Sequence, residues 1–333
     1  MEQVSLAQPG VRNLVTGANG FVGRYLVAAL LARGERVVAL TRSTPTKDSP
    51  AESRTCDLAE GDIGSLLREV RPACIYHLAG FSDAGASVRH PELAHRDNVV
   101  ATERLLDGLL TLDPRPRVLH VSSGLVYGAP GEGADLFDET SPLHPQTPYA
   151  ESKIAAERSV ERFGRETGVE VVRARPFNHT GPGQSPRFAI PGFAQRLGLI
   201  AAGVEPPILK TGNLDVERDI ADVRDVVAAY LLLMERGVAG SVYNIATGVS
   251  TSMRSIVEKM IELSGLQVEL QTSEDLVRVG EPLRVRMRVG IDKLRHLGWA
   301  PRFTLDETLA PLLFFDPFAS TSYPADAPSG MIG

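Results

Sequence analysis

Tyr149-Ala150-Glu151-Ser152-Lys153 sets a phenol and an ammonium four residues apart, the spacing that brings two side chains onto one face of a helix. A neighbouring ammonium favours phenolate and is expected to draw the Tyr149 pKa down from about 10 towards the working range. Such a tyrosine can donate or accept a proton near neutrality, as general acid–base work on a carbonyl or an alcohol requires. The spacing also occurs on ordinary helix surfaces, so its chemical reading depends on its companions. One companion is Ser123, in Ser122-Ser123-Gly124-Leu125-Val126-Tyr127-Gly128, directly after the apolar run Val118 to Val121. Its hydroxyl is positioned to hydrogen-bond an oxygen on which negative charge develops.

A second set of residues suits a dinucleotide. Arg12 to Thr16 reads as a short strand and runs straight into Gly17-Ala18-Asn19-Gly20-Phe21-Val22-Gly23. This Gly-x-x-Gly-x-x-Gly run permits a tight turn, a close backbone approach and a helix whose first N–H groups point at a phosphate. The helix that follows has Val22, Leu26, Ala29 and Leu30 on one stripe and ends at Gly34. A structural glycine turn is the bland alternative, and the flanking strand and amphipathic helix weigh against it. The strand Arg36 to Leu40 ends in Thr41-Arg42-Ser43, with an arginine where an acid would serve a ribose hydroxyl, so Arg42 points to a 2′-phosphate and to NADP(H) over NAD(H). Asp57-Leu58, after a strand at Arg54 to Cys56, offers a carboxylate for the adenine end. Leu78-Ala79-Gly80, after the strand Ala73 to His77, is small enough for the chain to pass beside a cofactor. His77 lies inside that apolar strand and reads as a packed histidine.

The elements that must carry these residues alternate between strand and helix. A long helix is expected from about Pro91, with Val99, Leu106, Leu109 and Leu110 on its buried stripe and Asn98 as a polar exception that supports the active site. A proline-containing loop from Ala129 to Pro148 precedes the helix bearing Tyr149 and Lys153, which continues to Phe163, and Glu170 to Arg175 is the sixth strand. This alternation, with the glycine turn first and Tyr-x-x-x-Lys late, implies an α/β protein built on a doubly wound parallel sheet. Residues 43–53 read as a surface loop.

Composition narrows the partners. At 333 residues and 43% hydrophobic, the chain can bury a large core. A net charge of −6 and a pI near 5.7 offer no basic field for nucleic acid or an anionic membrane. An anionic ligand must therefore be met by local arginines and helix N-termini. Cys56 and Cys74 lack metal-ligand spacing, so no metal site is expected, and both read as buried thiols in a reducing compartment. No apolar run is long enough to span a bilayer and no leader is apparent, so a cytoplasmic location is expected.

The glycine turn, Ser123, Tyr149 and Lys153, in that order, resemble the extended short-chain dehydrogenase/reductases that act on nucleotide sugars. The resemblance runs from Arg12 to about Leu312. Two later stretches, Arg175-Pro176-Phe177-Asn178-His179-Thr180-Gly181-Pro182-Gly183-Gln184 and Gly212 to Asp225, are most similar to the GDP-4-keto-6-deoxy-D-mannose reductase branch and its dehydratase cousins. The resemblance implies a Rossmann domain over residues 11–176, completed by about 220–246, and a smaller substrate-binding lobe from 177–219 and 247–313. Residues 314–333 would form a tail without regular structure. It implies Asn178, Arg218, Arg278 and Glu281 at the substrate, with His179 near the cofactor. Dehydratases of the group carry an acidic pair right after the catalytic hydroxyl residue. Here those positions are Gly124 and Leu125, neither of which can transfer a proton. The expected activity is therefore NADPH-dependent reduction of a nucleotide-linked 4-keto-6-deoxyhexose. A 4-epimerase holding tightly bound NAD uses the same Ser, Tyr and Lys and is the nearest alternative, with a non-catalytic cofactor-sensing protein behind it. In the resembled group, helices near 91–112 and 147–166 form the usual dimer face, so the resemblance implies a homodimer.

Overall fold

The short apolar runs of the chain pair in parallel because side chains on both faces of each strand have helices to pack against. In the computed structural model, which describes residues 12–42, 51–129, 136–273, 276 and 288–314, the seven strands are β1 (Arg12–Thr16), β2 (Arg36–Thr41), β3 (Glu52–Thr55), β4 (Cys74–His77), β5 (Arg117–Val121), β7 (Val171–Pro176) and β11 (Val242–Ile245). Their order is β3-β2-β1-β4-β5-β7-β11. Successive residues feed opposite cores. Val15, Val37, Tyr76, Leu119 and Val172 pack under α1 (Phe21–Ala32) and α8 (Val223–Arg236), while Leu14, Val38, Ile75, Val118 and Val171 pack under α2 (Ile63–Val70), α5 (Ala101–Leu109) and α6 (Pro148–Thr167). The direction of winding reverses between β1 and β4, which opens a crevice at their carboxyl ends.

After β7 the chain builds a separate core. A three-stranded sheet joins β8 (Asn178–Thr180), β10 (Glu217–Asp222) and β12 (Ser250–Ser252), and β9 (Ile208–Thr211) pairs with β13 (Glu269–Thr272). Against these lie α7 (Ala189–Ala201), α9 (Met253–Ser264) and α11 (Leu305–Leu313), around Leu197, Leu209, Ile256, Met260 and Leu309. The short helix α10 (Asp292–Arg295) packs beside β11, and the strand pair β6 (Leu136–Phe137) and β14 (Arg288–Val289) crosses from the loop before α6. Among the described residues no helix is long and apolar enough to cross a membrane.

Four details depart from the sequence reading. The third strand starts two residues earlier than expected, because Glu52 to Thr55 pairs with Val38 to Thr41. The helix expected from Pro91 is broken into α4 (Pro91–His95), a π-helical turn at Arg96–Val100 and α5, and a further helix, α3 (Ala84–Arg89), precedes it. Leu110 is exposed at the end of α5 instead of joining its buried stripe. Cys74 is buried but Cys56 is only half-buried. The expected tail beyond residue 314 and part of the loop at 43–53 lie outside the described residues.

Candidate active site

The crevice at β1 and β4 is built for a close backbone approach. Gly17 sits at φ 70°, and a Cβ there would lie 2.8 Å from the Ala79 nitrogen. A Cβ on Gly23 would lie 2.2 Å from the Gly17 carbonyl oxygen, so helix α1 can begin this near the strand only without a side chain. Gly20 is the N-cap of α1. Among the described residues no side chain caps its first turn, and no acid occupies that turn, so its first N–H groups face the crevice without a capping carboxylate or hydroxyl. Across the crevice, a Cβ on Gly80 would meet Asn98 Oδ1 at 2.3 Å and Lys153 Nζ at 3.3 Å. Asn98 is buried and its Oδ1 has no hydrogen-bond partner among the described residues. These features fit a dinucleotide lying from Gly20 past Ala79 towards Lys153.

The far end of that path is charged. Arg42 Nη1 pairs with Asp97 at 2.9 Å, and the arginine side chain is 61% exposed. Arg96 pairs with Asp97 and Asp57 at 2.6 Å each and with Glu60 at 2.8 Å. The other oxygen of Asp57 accepts the Ala59 N–H, so both of its oxygens are engaged by the protein, and Leu58 beside it is buried. His179 stacks on Phe21 with centroids 6.1 Å apart and donates from Nδ1 to the Phe177 carbonyl. Burial lowers its pKa, and the bond to Phe177 works the other way.

Helix α6 delivers Tyr149 and Lys153. Thr147 caps it by accepting the Ala150 N–H, Pro148 opens its first turn and Gly168 ends it in the left-handed conformation. Tyr149, Lys153, Glu157 and Val160 form one buried stripe. The expected sense of the Tyr149 shift is overturned: burial pushes the phenol up, and only the hydrogen bond to Ser123 pulls it down. Lys153 Nζ sits 5.9 Å from the Tyr149 ring centroid and donates to the Val121 carbonyl at 3.2 Å. Burial lowers its own pKa to about 8, opposed by Glu157. Removal from water shifts each group towards its neutral form, yet at about 8 the amine is still mostly ammonium near neutrality.

Ser123, two residues past β5, is extended and accepts the Leu125 N–H at 3.2 Å, which caps a 3₁₀ turn over Gly124–Tyr127. The oxygen is held from behind by this N–H, and the hydroxyl hydrogen-bonds the Tyr149 phenol. Gly124 packs under Phe177, where a Cβ would lie 2.7 Å from the ring, and Leu125 is exposed. Beneath them Arg175 makes a buried double bond to Glu157, at 2.9 and 2.7 Å, and a third bond to the Tyr127 hydroxyl at 2.8 Å. This network ties the Ser123 turn to the Lys153 helix.

A cavity of about 360 Å³ opens in the smaller core, between α7, β9 and β10. Arg187, Arg196, Lys210 and Arg218 line it, together with Phe188, Leu214 and Met253, and among the described residues no acid lines it. Ser123, Tyr149 and Lys153 are not part of this lining. Arg218 donates to the Glu217 carbonyl at 2.9 Å. Asn178, exposed on β8, faces Ile220 of β10, two positions beyond Arg218. Arg278 and Glu281 lie outside the described residues. Sequence reasoning missed Arg187, Phe188, Arg196 and Lys210. The available signal was an acid-poor run: from Pro176 to Leu214 the only acid is Glu205, in a chain with excess negative charge.

The doubly wound sheet and its glycine turn at the switch point define a dinucleotide-binding oxidoreductase of the short-chain dehydrogenase/reductase type. The chain belongs to the NAD dependent epimerase/dehydratase family, which matches residues 13–246. It is 36% identical to a GDP-6-deoxy-D-mannose reductase of Pseudomonas aeruginosa over 91% of this chain and 96% of that one. It is 32% identical to a UDP-glucose 4-epimerase of Mycolicibacterium smegmatis, over 92% and 98%. Among solved structures it resembles RMD from Pseudomonas aeruginosa complexed with NADPH, with a TM-score of 0.80 and 32% identity, covering 92% of this chain and 97% of that one.

Proposed function

We propose that this protein reduces the 4-keto group of a GDP-linked 4-keto-6-deoxyhexose with NADPH. The observation that carries the reading is the meeting of Ser123, Tyr149 and Lys153 at the strand ends beside the glycine cradle, with Gly124 and Leu125 where a dehydratase of this group has acids. Gly17, Gly20, Phe21, Val22, Gly23, Leu78, Ala79, Gly80 and Asn98 would hold the cofactor, with Arg42 at its 2′-phosphate and His179 over the nicotinamide side. NADPH, when bound, supplies the hydride. Ser123 donates a hydrogen bond to the ketone oxygen and holds it where negative charge grows. Tyr149 transfers its proton to that oxygen, so the carbonyl gains one hydride at carbon and one proton at oxygen. The Lys153 ammonium steadies the phenolate left behind. Burial keeps Tyr149 protonated until the oxygen needs it.

The nucleoside diphosphate is assigned to the arginine-lined cavity, where guanidinium forks suit phosphate oxygens and Phe188 offers a face to a base. Residues 177–219 and 247–313 make up this substrate lobe, and 11–176, completed by about 220–246, the cofactor domain. Val88, Leu93 and Leu110, exposed on and beside the helices of 84–109, suit a homodimer interface. A cytoplasmic location accords with nucleotide-sugar chemistry. The 4-epimerase reading is supported by the UDP-glucose 4-epimerase likeness. The two separate in one assay: GDP-4-keto-6-deoxymannose should oxidise NADPH in a one-to-one ratio, whereas interconversion of UDP-glucose and UDP-galactose without net cofactor change would replace the reductase reading.

A further inference from the structure

We propose that His77 is a positioning residue that holds the cofactor loop and the catalytic helix in fixed relation through one directed chain of hydrogen bonds. His77 on β4 pairs in register with Thr16 on β1, at the last position before Gly17. The direction of every link follows from the donors available. Thr102 Oγ1 gives its only proton to the Asn98 carbonyl, at 2.6 Å, so it must accept from His77 Nε2 at 2.9 Å. His77 is therefore the Nε2–H tautomer. Its bare Nδ1 accepts from Thr16 Oγ1 at 2.8 Å, and Thr16 Oγ1 in turn accepts the Ala79 N–H at 3.0 Å. Asn98 carries the chain onward through its own covalent frame. Its Nδ2 donates to Ser152 Oγ at 2.8 Å, and Ser152 Oγ donates to the Tyr149 carbonyl at 2.7 Å.

The chain thus begins at the loop that would flank the cofactor and ends on the backbone of the proton donor. Thr16, His77, Asn98, Thr102, Ser152 and Tyr149 are all buried, so water offers no replacement partners. The π-helical turn at Arg96–Val100 has a function in this arrangement. Asn98 lies within it, its carbonyl accepting the i to i−4 back-bond of Thr102 while its amide reaches Ser152 of α6. A neutral imidazole is required, because an imidazolium would point a proton at Thr16 and reverse one link. Burial and the nearby Lys153 ammonium hold the His77 pKa down to about 3. Glu157 is the charged neighbour of Lys153 on α6, and His120, also buried, stands across from His77 with ring centroids 5.6 Å apart.

The turnover arm of the test rests on the proposed ketoreductase reaction, whereas the tautomer and cofactor arms do not. Protein labelled with ¹⁵N-histidine, with the His77 signals identified by their loss in His77→Gln, should show the Nε2–H tautomer and no titration between about pH 5 and 8. A Nδ1–H tautomer, or titration in that range, overturns the proposal without touching the reaction assignment. Thr102→Val, which keeps shape but removes the hydroxyl, should lower kcat at least about tenfold, since small displacements of a proton donor are costly. Thr102→Ser should stay within roughly threefold of the parent, and NADPH Kd should stay within the same margin in both. Equal loss in Thr102→Ser and Thr102→Val, or loss confined to NADPH binding, also overturns it. Should Thr102→Val fail to fold, the tautomer and the Thr102→Ser turnover still decide. Absence of any 4-ketoreductase activity in the parent protein, with the tautomer as expected, would sink the reaction reading alone.

Discussion

Tyr149 is a buried acid whose proton is retained by desolvation and directed by one hydroxyl, so its replacement should act on the chemical step alone. Tyr149→Phe keeps the ring and removes the proton. Turnover should drop roughly 10²- to 10⁴-fold, with NADPH affinity by fluorescence titration almost unchanged. Ser123→Ala should do comparable damage, because it removes a donor aimed at the developing oxyanion. Arg42 raises a different question of magnitude, since it is already paired with Asp97. An exposed pair of this kind is worth only about 0–1 kcal/mol, so a phosphate can replace the carboxylate at little cost. Arg42→Asp should therefore reverse or abolish a preference for NADPH over NADH, read as the ratio of kcat/KM values. Equal use of both cofactors by the parent protein would remove the basis for this assignment.

At the scale of elements, the turn after β5 and the smaller core each carry a prediction. Gly124 lies under the Phe177 ring with no room for a Cβ, so an acid cannot simply be inserted to create a dehydratase. Gly124→Asp should destabilise the protein by about 1–3 kcal/mol through overpacking. It should yield no 4-keto product from GDP-mannose, and appearance of that product would show that the turn is not what excludes dehydration. Within the smaller core, Arg218 faces the cavity from β10. Losing a charge-assisted bond worth about 1.5–3 kcal/mol corresponds to roughly ten- to a hundredfold in affinity. Arg218→Ala should weaken nucleotide-sugar binding by that factor in calorimetry and leave NADPH binding in place. Collapse of cofactor binding with sugar binding intact would move Arg218 out of the substrate site.

The whole molecule pays for its buried histidines in acid. His77 is held to about 3 and His120 well below its ordinary value, both chiefly by burial, and among the described residues neither ring nitrogen of His120 has a hydrogen-bond partner. A lowered histidine pKa means that the unfolded chain binds the proton first. Stability should be intact above about pH 6.5 and decline as pH falls towards 3, at about 1.4 kcal/mol per pH unit for each histidine. His120→Leu removes one of these protons and should flatten the fall that begins below about pH 6.5 in urea melts. An unchanged slope would mean that His120 is already charged in the fold. The doubly wound sheet was legible in the chain because apolar runs, glycine turns and helix caps are local, and the positions of Ser123, Tyr149 and Lys153 follow from spacing and strand ends. The sense of the Tyr149 shift was not legible, since desolvation depends on neighbours far along the chain. Nor were the pairs Arg42–Asp97 and Arg96–Asp57, the π-helical turn, or the gathering of Arg187, Arg196, Lys210 and Arg218 around one cavity. The sequence by itself determined which groups with chemistry the chain carries and which elements bear them, through short-range pattern. Only the tertiary structure decided which of those groups meet and which are stripped of water, because contact and burial come from segments that packing, and not sequence distance, brings together.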